Sequence, residues 1–128
     1  MLLCHIAQVL KRNTHQGDLV CRLGGEEFVV VCLDTGEPGA PIILAERARM
    51  AIADSPCLTD QHVGSLSCTA TIGISHMLHN AEGLETAVQQ ADQALYRGKK
   101  AGRNRVEQLD KAATDSLSPV AMNSTALA

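Results

Sequence analysis

The chain has 128 residues, a formal net charge of -3, 45% apolar residues and 20% charged ones, which allows one domain with a modest core. Only 2% of residues are aromatic, and with a negative net charge this excludes a nucleic-acid surface built on base stacking and basic charge. No apolar run approaches the roughly 20 residues of a membrane span, and no basic segment precedes the first apolar residues.

In chain order, Leu2, Leu3, Ile6, Val9 and Leu10 recur at helical spacing and predict an amphipathic helix over residues 1–12. Asn13 to Gly17 reads as a loop. A β-hairpin is predicted over 18–34. Its strands are Leu19-Val20-Cys21-Arg22-Leu23 and Phe28-Val29-Val30-Val31-Cys32-Leu33, with Gly24-Gly25 at the turn. Asp34 to Gly39 is rich in breakers and reads as a second loop. Leu44, Ala48, Ala51 and Ile52 line a helix that ends near Ser55-Pro56. Cys68, Ala70, Ile72 and Ile74 alternate with small or hydroxyl residues, predicting a strand over 67–75. Leu84, Val88, Ala91 and Leu95 form the next helical stripe, which Gly102 closes as a C-cap. Asn104 to Glu107 gives a short last strand. From about Lys111 the chain is Ala, Ser, Thr and Asn with one Pro, and disorder is expected.

Some residue types suggest chemistry. Glu26 and Glu27 put two carboxylates beside a glycine turn, where a ligand can approach the main chain and a hard divalent cation finds oxygen donors. As plain hairpin acids they would simply face water. Arg97, Lys99, Lys100, Arg103 and Arg105 concentrate basic charge in nine positions. This reads either as a solvated helix end complementing the dipole or as an anion site. The five cysteines, Cys4, Cys21, Cys32, Cys57 and Cys68, are odd in number, widely spaced and without a CxxC. They are expected to be apolar fillers in a reducing, cytoplasmic setting. His5 and His62 read as surface residues. His76 and His79 lead from a strand into a loop and make a poor metal pair. Asp92 reads as a helix brace and Tyr96 as a packing residue.

The pentapeptide Gly24-Gly25-Glu26-Glu27-Phe28 resembles the GG(D/E)EF signature of the GGDEF-domain family, the diguanylate cyclases. Asp18 to Leu23 is similar to the family's approach to that motif. Thr71-Ile72-Gly73-Ile74-Ser75 is similar to its Ser-Ile-Gly strand. Ala91-Asp92-Gln93-Ala94-Leu95-Tyr96 and then Lys99-Lys100-Ala101-Gly102-Arg103-Asn104 are similar to its late helix and the strand after it. These four motifs stand in the family's order over residues 18–106.

The resemblance implies an α/β (α+β) fold, a nucleotidyl cyclase and polymerase palm-like sheet with packed helices. The family fold begins one strand and one helix earlier. That strand carries a metal-binding Asp, and the helix and loop after it carry an Asn and an Asp for guanine. Residues 1–109 therefore read as a partial GGDEF domain lacking the first strand and helix, and 110–128 as a disordered tail. Without the first strand, the hairpin is expected to leave an exposed sheet edge.

The implied activity is condensation of two GTP into cyclic di-GMP and pyrophosphate by a homodimer, with Mg2+ (or Mn2+), in bacterial second-messenger signalling. Glu26 would be catalytic and, with Glu27, metal-binding. Gly24, Gly25, Lys99 and Arg103 would bind substrate. A sensor or regulatory domain is expected upstream, and a membrane anchor, if any, would lie outside this chain. The chain alone is expected to be inactive. The family's inhibitory Arg-x-x-Asp falls on His15-Gln16-Gly17-Asp18, which keeps the acid and loses the arginine. The alternative reading is a non-catalytic GGDEF-like module that binds GTP or a protein partner.

Overall fold

The computed structural model describes residues 2–32, 39–58, 64–75, 81–108 and 118–127, the backbone alone at 81–82 and 118–127. The elements are α1 (Leu2–Asn13), β1 (Leu19–Gly24), β2 (Glu27–Cys32), α2 (Ala40–Ala53), β3 (Cys57–Leu58), β4 (Ser65–Leu66), β5 (Cys68–Ile74), α3 (Ala81–Lys100), β6 (Val106–Gln108) and β7 (Ser118–Leu127). The five-stranded sheet runs β1-β2-β7-β5-β6, and β3 and β4 pair by themselves. All pairings are antiparallel except β5 with β6. Helices on a mostly antiparallel sheet match the α+β expectation.

α1 buries Ile6, Val9 and Leu10, the i, i+3, i+4 stripe that its sequence predicts. Its last turn carries Lys11 and Arg12, which suit the negative end of the helix. His5, expected at the surface, is half-buried, with Nε2 2.6 Å from the Ser55 carbonyl oxygen. That oxygen can only accept, so Nε2 carries the proton. α2 begins at Gly39 with φ +78 and a proline in its first turn, and buries Leu44, Ala45, Ala48 and Ile52.

The sheet has a different partner on each face. Phe28, Val30, Ile72 and Ile74 join Ile6, Leu10, Leu44 and Ile52 in one continuous core under α1 and α2. Burying each such side chain contributes roughly 1.5–3 kcal/mol. On β5 the alternate residues face the other way and meet α3. A Cβ on Gly73 would collide with the carbonyl oxygen of Ala91 and lie 2.5 Å from the Leu95 amide nitrogen. A Cβ on Gly98 would lie 2.7 Å from Cγ2 of Thr71. The Ser75 hydroxyl donates to the Ala87 carbonyl. α3 therefore packs through Ala87, Ala91, Ala94, Leu95 and Gly98, all buried. The predicted stripe is turned: Leu84 is 43% exposed and Val88 half-buried. Close approach to a glycine favours small residues over leucine at the contact.

The tail differs from expectation. Ser118–Leu127 is a strand, paired with β2 from Glu27↔Asn123 to Cys32↔Ser118 and with β5 from Cys68↔Leu127 to Ile74↔Val120. β2 and β5 are thus parallel and one strand apart, and β7 fills the gap. The hairpin edge expected to be bare is paired, and β1 is the outer edge instead. Two unpaired ladders offer a segment more hydrogen bonds than its own composition would predict, so context overrides propensity. The predicted loop at 34–39 and the residues His62, His76 and His79 lie outside the described residues, apart from Gly39. The short β3–β4 pair adds a hairpin that the residue pattern does not signal.

Gly73→Ala is expected to force α3 off β5 and to destabilise by about 1–3 kcal/mol, as overpacking does. For a domain of this size that lowers the melting temperature by several degrees, roughly 4–8 °C per kcal/mol. A chain ending at residue 117 should lose its cooperative thermal transition, and a peptide spanning residues 118–127 should restore it when added. An unchanged melting curve without the segment would show that β7 does not hold the sheet.

Candidate active site

The β1–β2 hairpin closes at the Gly24↔Glu27 pair, so Gly25 and Glu26 are its two loop residues. Gly24 has φ +145 and Gly25 φ +54, and a Cβ on either would meet nothing within 4 Å. The glycines are thus needed for backbone conformation, and the space beside them is open to a ligand. Arg22 Nε donates to the Gly25 carbonyl at 3.0 Å and braces the turn. Glu26 and Glu27 are exposed at this tip, while Phe28 beside them is buried at 3% exposure and anchors the hairpin.

The second part of the site is the C-terminal end of α3. The Arg103 amide donates to the Gly98 carbonyl at 2.9 Å and the Gly102 amide to Lys99 at 3.4 Å. With Gly102 at φ +119, this is a Schellman cap. The next two residues, Arg103 (φ +65) and Asn104 (φ +47), are also left-handed. Non-glycine residues held there cost on the order of 1–3 kcal/mol each. Two β5 contacts hold them: the Asn104 amide donates to Thr71 Oγ1 at 3.2 Å, and the Ile72 amide to the Arg105 carbonyl at 2.9 Å. Thr71 is fully buried. Lys99 and Arg103 therefore share one rigid helix end that is seated on the sheet.

Asp92 links the two parts. Its pKa is raised, first by desolvation and then by the Glu27 carboxylate, while Lys99 pulls it back down. The Asp92 carboxyl on α3 thus feels both Glu27 on the hairpin and Lys99 on its own helix. Lys99 lies two helical turns beyond Asp92, on the same side of α3. From sequence alone Asp92 reads as a helix brace, and its seven-residue spacing from Lys99 is the one signal of a shared face. Tyr96 is not a packing residue: it is 60% exposed, with Lys100 Nζ 4.8 Å from its ring centroid.

His15 and Asp18 lie in one turn. The Asp18 carboxylate accepts the His15 amide at 2.8 Å, and the Asp18 amide donates to the His15 carbonyl at 3.1 Å. The Asp18 side chain is only 2% exposed, whereas the His15 ring is 67% exposed with Nδ1 3.8 Å from Asp18 Oδ2. Burial, with a smaller push from Asp18, raises the Cys32 thiol to about 12. Cys32 is therefore a protonated core residue. All five cysteines are free thiols.

Among the described residues, no group of three or more His, Cys, Asp or Glu side chains could hold a metal ion. A pair of glutamates still fits Mg2+, which keeps several waters and takes one or two carboxylates plus substrate phosphate oxygens. Among the same residues, no helix is long and apolar enough to cross a membrane.

Comparison with known proteins shows the family. The model of the family described as diguanylate cyclase, GGDEF domain, matches residues 1–105. Diguanylate cyclase DgcP of Pseudomonas aeruginosa is 43% identical over 103 residues, covering 80% of this chain and 15% of that protein. The response regulator PleD of Caulobacter vibrioides is 38% identical over 97 residues, 76% of this chain and 21% of that protein. Diguanylate cyclase A of Treponema denticola is 34% identical over 106 residues, 83% of this chain and 28% of that protein. The chain thus spans less than a third of the length of these relatives. With the GGEEF turn, the α3 helix end and the family match over one continuous stretch, the chain belongs to the GGDEF family of diguanylate cyclase domains.

Proposed function

We propose that this chain belongs to a domain that condenses two GTP molecules into cyclic di-GMP, releasing two pyrophosphates, with two such domains meeting face to face. The acid-bearing glycine turn, open to a ligand, carries this reading. The influence of both Glu27 and Lys99 on the Asp92 carboxyl supports it, since a site for a metal-bound triphosphate needs acids and cations in one region. Phosphoryl transfer depends on positioning and charge neutralisation rather than on covalent help from the protein.

Each residue then has a task. Gly24 and Gly25 let the nucleotide lie against the main chain. Lys99 contributes a point charge and Arg103 a planar fork to the terminal phosphates. Glu26 and Glu27 would hold Mg2+ or Mn2+, and Glu26 would accept the proton of the attacking 3′-hydroxyl. The metal, when bound, neutralises phosphate charge. Asp92 would offer the Lys99 ammonium a carboxylate partner on the same face of α3. A homodimer and an upstream sensor or regulatory domain belong to the same proposal, and the greater length of the relatives supports the further domain.

A second reading is a non-catalytic module that binds GTP or a protein partner. It is favoured by the absence, among the described residues, of a three-ligand acid cluster. Turnover separates the two. The 128-residue chain alone, mixed with GTP and Mg2+, is expected to give no measurable cyclic di-GMP. In the whole protein, Glu26→Ala should abolish product while leaving the melting temperature nearly unchanged, because Glu26 is an exposed turn residue. Glu26→Asp should retain part of the rate. Near-normal turnover by Glu26→Ala would sink the catalytic reading.

Product feedback should also be relaxed. His15 offers an exposed imidazole where the family has arginine, and an imidazole lacks arginine's permanent charge and planar fork. One missing charge-assisted bond, about 2 kcal/mol, weakens binding on the order of thirtyfold. His15→Arg should recover that factor in calorimetry of cyclic di-GMP binding. Tight binding by the unaltered protein would contradict this.

A further inference from the structure

The left-handed pair Arg103-Asn104 has a third anchor, which comes from the other helix. Arg49 on α2 donates from Nη1 to Asn104 Oδ1 at 2.8 Å. Its Nε donates to Glu46 Oε2 at 2.9 Å, and its Nη2 lies 2.8 Å from the same oxygen. The Arg49 side chain is only 20% exposed. Its fork is thus engaged on both sides, by its own helix and by the loop after α3.

We propose that Arg49 is a positioning residue for the phosphate-binding end of α3. It acts through Asn104, fixing the left-handed turn from which Arg103 projects, so that Arg103 and Lys99 meet one anion together. Three observations carry the proposal. The Arg103-Asn104 conformation is one that side-chain-bearing residues rarely adopt, so it needs external support. The support from β5 reaches the backbone of this segment, whereas Arg49 reaches the Asn104 side chain. Its geometry also needs a planar guanidinium: a lysine ammonium cannot span Glu46 and Asn104 with the same pre-organised fork.

The proposal rests on the reading of Lys99 and Arg103 as phosphate ligands, and its test keeps the two apart. Inorganic triphosphate with Mg2+ is titrated calorimetrically into the 128-residue chain at low salt. Arg103→Ala is expected to weaken binding more than about tenfold, as loss of a direct charged ligand does. Arg49→Ala and Asn104→Gly should each weaken it about three- to tenfold, and Arg49→Lys should not restore it. Asn104→Gly keeps access to positive φ and removes only the acceptor. In an Arg103→Ala background, Arg49→Ala should cause no further loss. A general loss of stability would instead weaken both backgrounds alike, and that result would overturn the proposal, as would normal binding by Arg49→Ala.

If the unaltered chain does not bind triphosphate, or Arg103→Ala binds it normally, the phosphate reading falls. The positioning claim is then decided by hydrogen exchange at the Asn104 amide. Faster exchange in Arg49→Ala supports it and unchanged exchange overturns it.

Discussion

The arrangement depends on how closely α3 lies on β5. Gly73 admits the backbone of Ala91 and Leu95 at a distance that no side chain would tolerate, and Gly98 does the same for Thr71. Ala87, Ala91 and Ala94 complete a contact surface made almost wholly of small residues. Dense contact of this kind recovers in dispersion what it lacks in apolar area per residue. It also fixes the height of the helix above the sheet. The basic end of α3 is therefore set relative to the hairpin by backbone contact, and not by long side chains that can change rotamer.

On that base the electrostatics are simple. An acid-bearing turn and a cation-bearing helix end are fixed on one framework, and the Asp92 carboxyl responds to a group on each, Glu27 and Lys99. Opposite charges held by rigid elements need little reorganisation when a charged ligand arrives. The turn tolerates the approach because its glycines leave open space. The helix end tolerates its unusual backbone because Thr71, buried in the sheet, accepts the Asn104 amide.

Much of this is legible in the residues. The hairpin announces itself through two apolar runs and a glycine pair, and the helix cap through Gly102. The five-residue turn motif and the late helix motif point to the family without any geometry. Where residues and structure disagree, the causes are physical. The stripe through Leu84 and Val88 tracks hydrophobicity, whereas α3 packs by smallness, and a glycine on the facing strand is a weak signal in a single sequence. Tyr96 reads as a packing residue because aromatics usually bury, yet it lies off the small-residue face of α3 that meets the sheet and is exposed beside Lys100. The β7 segment has the composition of a disordered chain, and only the gap between β2 and β5 gives it a partner. Asp92 carries little signal in sequence because Glu27 is brought to it only by tertiary structure, and its seven-residue spacing from Lys99 is a weak cue.

The central place of β7 also bears on how the protein comes to be folded. Glu27 pairs with Asn123, and Cys32 with Ser118. The hairpin is made early in synthesis, while its inner ladder is satisfied only by residues made much later. Contacts so distant along the chain are slow to form, because loop closure must come before they contribute. On the ribosome, β2 and β5 would wait with open edges until residues 118–127 emerge. Such edges are what chaperones cover and what aggregation exploits. Overproduction of this chain should therefore be sensitive to translation speed and to holdase supply in a way that a sheet closed from its N-terminal side is not.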